Sequence, residues 1–190
     1  MSASLVGSEM CIRDRISSAG ISRGSLKYLA DTGRLDQVSR GVYTLPEVWE
    51  DEFVSIQERY KRGVFALDTA LFLHDLTDRT PHKFHMAFPY GYNTSSPKAA
   101  GILCSCKKEP YYSLGIALVD TPAGNTVRAY NAEKTLCEIL KPISHTDIQI
   151  ITDAFKRYAG RKDKNIPLLS EYAHQLRVEK RLRPYLEVLL

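Results

Sequence analysis

The chain has 190 residues, of which 44% are hydrophobic, and this is enough to bury one sizeable core and a small satellite domain. No apolar run approaches the length of a membrane span, because residues 64–76 are interrupted by Asp68, Thr69 and His74. The formal net charge of +4 is modest, but the basic residues are concentrated towards both ends. These properties exclude a transmembrane helix and favour an acidic partner such as nucleic acid.

The uneven distribution of charge and the cysteines indicate the kind of partner and the cellular compartment. Residues 155–190 contain nine Lys or Arg against four Asp or Glu, and residues 16–46 contain four against two. Such a surplus suits nucleic acid, although a solvated surface gives the same bias. Apart from Cys11, three cysteines remain, and no secretory signal accompanies them. We therefore expect a cytoplasmic protein with reduced thiols.

The first fifteen residues have neither a helical nor a strand period. The codons for residues 9–14, Glu-Met-Cys-Ile-Arg-Asp, can be written as the mosaic-end DNA that attaches sequencing adapters by transposition, and residues 5–8 fit the adapter arm upstream. We interpret residues 1–15 as a translated adapter fused to a gene fragment, and we expect irregular structure before Ile16. The alternative is a genuine N-terminal extension.

Residues 16–46 have the pattern of the second half of a winged helix-turn-helix. Ser22 is a good N-cap for a helix that runs to Thr32, and Gly33 can end it in the left-handed conformation. The apolar residues 26, 29 and 30 share one face of this helix. Residues 16–19 are only the end of the scaffolding helix that such a module needs, so we expect the module to be truncated.

A short hairpin with a basic tip follows the helix. Residues 35–39 alternate, Arg40 and Gly41 form a turn, and residues 42–45 return as a second strand. A helix with a basic N-terminus beside such a wing can enter a DNA major groove, whereas the simpler alternative is a helix and hairpin that only pack. The predicted DNA contacts are Arg23, Ser25, Lys27 and Tyr28 in the groove, with Arg34 and Arg40 on phosphates.

Residues 47–190 predict a mixed α+β domain with a short sheet and C-terminal helices. Helical spacing or capping residues place helices at about 53–63, 68–76, 131–140, 148–158, 166–175 and 184–190. Strands are predicted at 83–88, 102–106, 114–119 and 126–130, and residues 89–97 read as a loop. Asp68 and Asn131 are the expected helix caps, with a capping box at 144–147. The fold class is therefore α+β, with a truncated winged helix at 16–46 followed by this domain.

Three segments resemble the AbiEi antitoxins of type IV, or abortive-infection, toxin–antitoxin systems. They are the helix and wing at 22–45, the sequence TALFLHDL at 69–76 and, above all, VRAYNAEKTLCEIL at 127–140. The resemblance extends over residues 20–190. Its most specific part is residues 133–140, which in the family usually read Glu-Arg-Thr-Leu-Cys-Asp-x-Leu. Lys134 and Glu138 keep the charges of the usual Arg and Asp but change the hydrogen-bond geometry.

The resemblance implies a regulator rather than an enzyme. In this family the winged helix represses its operon by binding inverted repeats in the promoter, and the C-terminal domain neutralises a nucleotidyltransferase-like toxin without a stable complex. The implied partners are promoter DNA and the toxin, in a phage-defence system with no membrane component and no cofactor. Two alternatives stay open: a winged-helix regulator whose second domain senses a small ligand, and an RNA- or nucleotide-binding module that protects the target of the toxin.

Few residues suggest catalysis or metal binding. Cys137 falls near the apolar side of its helix, which predicts a buried thiol, and no histidine is placed nearby to activate it. Cys104 and Cys106 with His82 and His85 make a weak zinc pattern, because paired CxxC spacing is missing. We predict no catalytic residue and no metal site. The basic run Lys156, Arg157, Arg161 and Lys162 is either a solvated helix end or a contact for a partner or nucleic acid.

Overall fold

The computed structural model of the chain describes residues 10–12, 28–29, 31–32, 36–39, 42–44 and 51–189. The chain divides into two compact units, residues 1–61 with 120–127 and residues 62–119 with 128–190. The first unit contains strands β1 (Met10–Ile12), β2 (Asp36–Ser39) and β3 (Val42–Thr44) and helix α1 (Glu52–Arg59). The predicted α+β class is confirmed.

The remaining elements follow in chain order, and of their residues only 120–127 are counted with the first unit. They are β4 (Val64–Phe65), α2 (Leu67–Leu73), β5 (His85–Pro89), α3 (Ser95–Ala99), β6 (Leu103–Lys107), β7 (Ile116–Asp120), β8 (Thr126–Tyr130), α4 (Ala132–Ile139), a 3-10 turn (Pro142–Ser144), α5 (Ile148–Ala159), α6 (Ile166–Gln175) and α7 (Glu179–Leu189). None of the helices within the described ranges has both the length and the apolar composition needed to cross a bilayer.

The hairpin predicted after the first helix is present as a pair of antiparallel strands. β2 and β3 pair with Asp36 opposite Thr44 and Gln37 opposite Tyr43, and the register shifts between Gln37 and Ser39. Before the hairpin, Tyr28, Leu29 and Asp31 are helical, and the Thr32 amide donates to the Tyr28 carbonyl at 2.9 Å. The predicted cap at Ser22 and the stop at Gly33 lie outside the described residues.

The expectation of irregular structure before Ile16 is wrong for residues 10–12. These residues form β1, which pairs antiparallel with β3 and places Cys11 opposite Tyr43. The physical reason is that strand pairing uses backbone N–H and C=O groups, so the free edge of β3 accepts any extended segment without proline. Met-Cys-Ile satisfies this condition without any helical or strand periodicity in the longer segment.

Asp51 connects the start of α1 to the hairpin turn after β7. One carboxylate oxygen, Oδ1, accepts from the Phe53 amide at 3.0 Å and caps the helix. The other, Oδ2, accepts from the Thr121 hydroxyl at 2.5 Å and from the Asn125 side-chain amide at 3.1 Å. All three polar side chains are buried, so each contact replaces one that water would otherwise make. Asp51 is therefore both a helix cap and a buried tertiary link within the first unit.

We predict that Asp51→Ala destabilises the protein by about 2–4 kcal/mol, because it removes a cap and the two buried hydrogen bonds from Thr121 and Asn125. The matched control is Asp147→Ala, which removes the exposed cap of α5, where the Asp147 carboxylate accepts from the Gln149 amide at 2.7 Å. That loss should cost about 1 kcal/mol. Urea unfolding followed by far-UV circular dichroism measures both, and equal costs for the two variants would contradict the tertiary role of Asp51.

The sheet of five strands has the order β6-β5-β4-β8-β7. β4 pairs antiparallel with β5 and parallel with β8, and β5 pairs parallel with β6, so the sheet is mixed. In the sequence, the strand predicted at 83–88 alternates, with Phe84, Met86 and Phe88 on one face. In the structure Ala87 is as buried as its neighbours, because β5 is an inner strand covered on both faces.

The C-terminal helices form the main core of the second unit. Side chains of α4, α5, α6 and α7 pack together with α2, and the largest contributors include Leu136, Phe155, Leu169 and Leu182. The bounds of β8, α4 and α6 agree with the sequence prediction. α7 begins at Glu179, earlier than predicted, because Leu182 is buried and its amide is bonded to the Val178 carbonyl at 2.9 Å.

Two predicted caps are wrong, and one predicted loop contains a helix. α2 is capped by Ala66, so Asp68 lies in its first turn instead of capping it. α5 is capped by Asp147, while Ser144 belongs to the preceding 3-10 turn. The predicted loop at 89–97 leads into the short helix α3, whose proline, Pro97, is buried. α2 and α3 begin without a side-chain cap, whereas α5 is capped locally by the Asp147 carboxylate.

Candidate functional site

Most of the predicted DNA-contact residues lie outside the described part of the chain. Arg23, Ser25, Lys27, Arg34 and Arg40 are among these, and their roles stay predictions. The remaining one, Tyr28, is helical and 66% exposed. An aromatic side chain of this size on a helix surface is available to a partner, in agreement with its predicted position off the apolar face.

In the structure, the four residues of the predicted basic run have two different environments. Arg161 donates to the His74 carbonyl at 2.7 Å and forms an ion pair with Asp163, and Arg157 lies 3.3 Å from Asp78. The hydrogen bond from Arg161 holds the pKa of the Asp163 carboxyl at about 2. Lys156 and Lys162 are exposed, and within residues 51–189 neither forms an ion pair. Two of the four charges are thus engaged within the chain and two face solvent.

The three cysteines of residues 51–189 lie on two different elements, β6 and α4. Cys137 is fully buried, as predicted, with its sulfur 3.6 Å from the Leu169 carbonyl, and burial raises the pKa of its thiol to about 12. Cys104 and Cys106 lie on β6, whereas His82 lines a separate cavity of about 220 Å³ with Asp68 and Arg79. Among the described residues no three His, Cys, Asp or Glu side chains are placed to share a metal ion.

A group of charged residues that the sequence did not identify as a site is buried around α4. Every residue of this helix is buried, including Glu133, Lys134 and Glu138. Glu133 accepts from the Tyr158 hydroxyl at 2.8 Å. Lys134 and Glu138, one turn apart, meet Lys107 from β6 and Tyr130 from β8. We call these four residues, Lys107, Tyr130, Lys134 and Glu138, the Glu138 cluster.

Lys134 is inaccessible to solvent and is held by backbone oxygens. Its ammonium donates to the carbonyls of Tyr111 and Leu114, both at 2.6 Å. It also lies 3.3 Å from the centroid of the Tyr130 ring and 3.9 Å from Oε1 of Glu138. A buried ammonium needs hydrogen-bond acceptors, an aromatic ring or a carboxylate around it to offset the loss of hydration. Here residues of the second unit supply all of these contacts.

Gly115 allows the chain to approach Lys134 this closely. Its φ of +67° is in the left-handed region, and a Cβ there would lie 2.9 Å from Oδ1 of Asn131 and 3.1 Å from Cβ of Lys134. The Gly115 carbonyl accepts from the Asn131 amide at 2.8 Å, and the Asn131 side chain caps α4 through the Lys134 amide at 3.0 Å. Glycine at 115 therefore lets the start of α4 and the segment before β7 pack together.

Glu138 is shared between two lysines but is only partly satisfied. Its Oε1 accepts from the Lys107 ammonium, which also lies 4.8 Å from the centroid of the Tyr130 ring. Its Oε2 is buried and has no hydrogen-bond partner. Burial lowers the pKa of Lys107 despite the opposing effect of Glu138, and burial raises the pKa of Tyr130. The cluster combines two ammonium groups with one carboxylate, of which one oxygen is left free.

A cavity of about 410 Å³ opens beside the Glu138 cluster. Its polar lining consists of Ser105, Lys107, Lys108, Glu138, Lys141 and Ser144. Sequence analysis missed this site because Lys134 and Glu138 have the spacing of a solvated ion pair on a helix surface. No local signal reveals it, because α4 has an ordinary amphipathic spacing and is followed by polar residues such as Lys141 and Ser144.

Burial lowers the pKa of Lys134 to about 7. In the unfolded chain the ammonium keeps its ordinary pKa near 10.4, so between these values the unfolded state binds more protons and stability rises with pH. We predict that wild type gains on the order of 2 kcal/mol over Lys134→Met between pH 7 and pH 9. Urea unfolding at each pH tests this. Lys98→Met, at an exposed lysine, is the control and should show a constant difference. A constant difference for Lys134→Met as well would contradict the prediction.

Comparison with known families supports part of the sequence interpretation. Residues 12–46 match the model of a family described as transcriptional regulator, AbiEi antitoxin, and this confirms the predicted resemblance over that range. The match begins inside the segment interpreted as adapter and does not include residues 127–140. No curated protein matches the chain.

A solved structure, that of the RV2827C protein from Mycobacterium tuberculosis, is similar to this chain at 15% sequence identity and a TM-score of 0.48. The similarity covers 95% of this chain and 76% of that chain. At this identity and TM-score the likeness supports no statement about fold or function.

Proposed function

We propose that this chain is a transcriptional regulator and antitoxin of the AbiEi type. Its N-terminal module binds inverted repeats in its own promoter and represses transcription, and the rest of the chain neutralises a nucleotidyltransferase-like toxin without a stable complex. It acts in the cytoplasm by binding rather than by catalysis, as part of a phage-defence system. The observation that carries the proposal is the family match over residues 12–46.

The DNA-binding part is supported by the residues in the matched range. That range covers the helix and wing in which sequence analysis placed the DNA contacts, and its hairpin is paired as β2 and β3. The basic surplus of residues 16–46 has the sign that phosphate contact requires. A wing beside a recognition helix is the arrangement by which winged helices contact the groove and the flanking backbone.

We predict different effects for the two kinds of DNA contact. Arg40→Ala should weaken binding to all sequences alike and lower the salt slope by about one unit, because Arg40 is expected on a phosphate. Arg23→Ala should cost about 1–3 kcal/mol and relax one base position. Gel-shift titrations at several salt concentrations, with the DNA upstream of the gene and a scrambled duplex, measure both effects.

The matched control is Arg183→Ala, at an exposed arginine on α7, which should leave DNA affinity unchanged. Unchanged affinity in both Arg23→Ala and Arg40→Ala would remove the DNA-binding hypothesis.

The antitoxin part can be tested at the two solvated lysines of the basic run. Lys156 and Lys162 can be reversed without breaking an internal contact, whereas Arg157 and Arg161 are engaged by Asp78 and Asp163. We predict that Lys156→Glu with Lys162→Glu abolishes rescue of cells from the toxin and leaves the thermal transition intact, because an acidic partner or nucleic acid would be repelled. Rescue assays on co-expression with the toxin measure this.

The control for charge reversal is Lys98→Glu with Lys180→Glu, which changes the net charge equally at two other exposed lysines. This variant should rescue cells as wild type does. If the Lys156 and Lys162 variant also rescues fully, the basic run is only a solvated surface, and the toxin-related function must lie elsewhere in the chain.

A further inference from the structure

The cavity beside the Glu138 cluster has an excess of positive charge. Three lysines, Lys107, Lys108 and Lys141, line it, and Glu138 is the one carboxylate among the lining residues. Oε1 of Glu138 is already occupied by Lys107. Neither Lys108 nor Lys141 pairs with a carboxylate anywhere in residues 51–189, although Lys108 lies 4.9 Å from the Tyr90 ring centroid. Two ammonium groups on this cavity are therefore available to an anion.

The same cavity contains an unsatisfied acceptor. Glu138 is 3% exposed, and its Oε2 has no hydrogen-bond partner. Leaving a buried acceptor unpaired costs about 1–3 kcal/mol, and more when the group is charged. Glu138 lines the cavity, so a rotation of its carboxylate would present this oxygen to an N–H or O–H group on a bound molecule and remove that cost. The cavity thus requires two features of its ligand, an anionic end and a hydrogen-bond donor.

The remaining lining residues suit a flat organic group between these two ends. Tyr111 is 40% exposed and is among the lining residues, and an aromatic side chain can stack on a base. Leu67 and Ile143 add apolar surface, and Ser105 adds a hydroxyl. A volume of about 410 Å³ is in the range of small-molecule sites and is much larger than a phosphate ion needs.

We propose that this cavity binds a nucleoside phosphate. Its phosphate contacts Lys108 and Lys141, and its base or ribose donates a hydrogen bond to Oε2 of Glu138. Ammonium groups bind phosphate as point charges, so neither lysine needs the bidentate geometry of an arginine. This binding is separate from the DNA contacts of residues 16–46, and it does not depend on the proposed antitoxin function.

The test is a calorimetric titration of the full chain, without DNA, at low salt. The probes are the four ribonucleoside monophosphates, the corresponding nucleosides and inorganic phosphate. We expect at least one monophosphate to bind, and its nucleoside and inorganic phosphate each to bind at least tenfold more weakly. Lys108→Gln and Lys141→Gln should each weaken binding of that monophosphate about tenfold, which corresponds to about 1.4 kcal/mol. Both side chains are at least partly exposed, so the variants should keep the thermal transition of the wild type.

The matched control is Lys180→Gln, an exposed lysine on α7 outside the cavity lining, and it should bind the monophosphate as wild type does. Glu138→Gln, if folded, should weaken binding of the monophosphate but not of inorganic phosphate. The proposal is overturned if no monophosphate binds at millimolar concentration, if the double variant Lys108→Gln with Lys141→Gln binds as wild type does, or if inorganic phosphate binds as tightly as every monophosphate. None of these outcomes affects the gel-shift test of DNA binding.

Discussion

The second unit is organised around the need to satisfy an ammonium group that has no access to water. Lys134 lies on a helix that is buried on all sides, so its charge must be compensated by the protein. The compensation comes from the Tyr111 and Leu114 carbonyls, the Tyr130 ring and Glu138, which brings in Lys107 from β6. One buried charge thus connects α4 to the segment before β7 and to an outer strand of the sheet.

Part of the fold could be predicted from the sequence, and part of it could not. β8, α4 and α6 were predicted well because short-range signals agree there: Asn131 and Asn165 are good caps, and the apolar spacing is regular. The errors at Asp68 and at the start of α7 arose where packing of distant residues fixed the helix start. The hairpin was predictable because the residues on either side of the Arg-Gly pair alternate as strands do, and that pair is typical of a turn.

The Glu138 cluster was not predictable for a related reason. Lys134 and Glu138 have the sequence spacing of a surface ion pair, and Lys107, the closest partner of Glu138, is 31 residues away in the sequence. Conversely, the basic run near the end of α5 looked uniform in sequence, but Arg157 and Arg161 contact Asp78 and the His74 carbonyl. Whether a charged side chain is a structural element or an available contact depends on tertiary neighbours that a single sequence does not show.

The link made by Asp51 also determines when the first unit can be completed during synthesis. Asp51 and Asn125 are separated by 74 positions in the sequence, so the hydrogen bond between them cannot form until both have left the ribosome. At 5–20 residues per second this delay is about 4–15 s, far longer than a helix or a hairpin takes to form. During that interval α1 can be capped locally by Oδ1 of Asp51, while Oδ2 is still hydrated. The last buried polar contacts of the first unit can therefore form only after residues 121–125 have been synthesised.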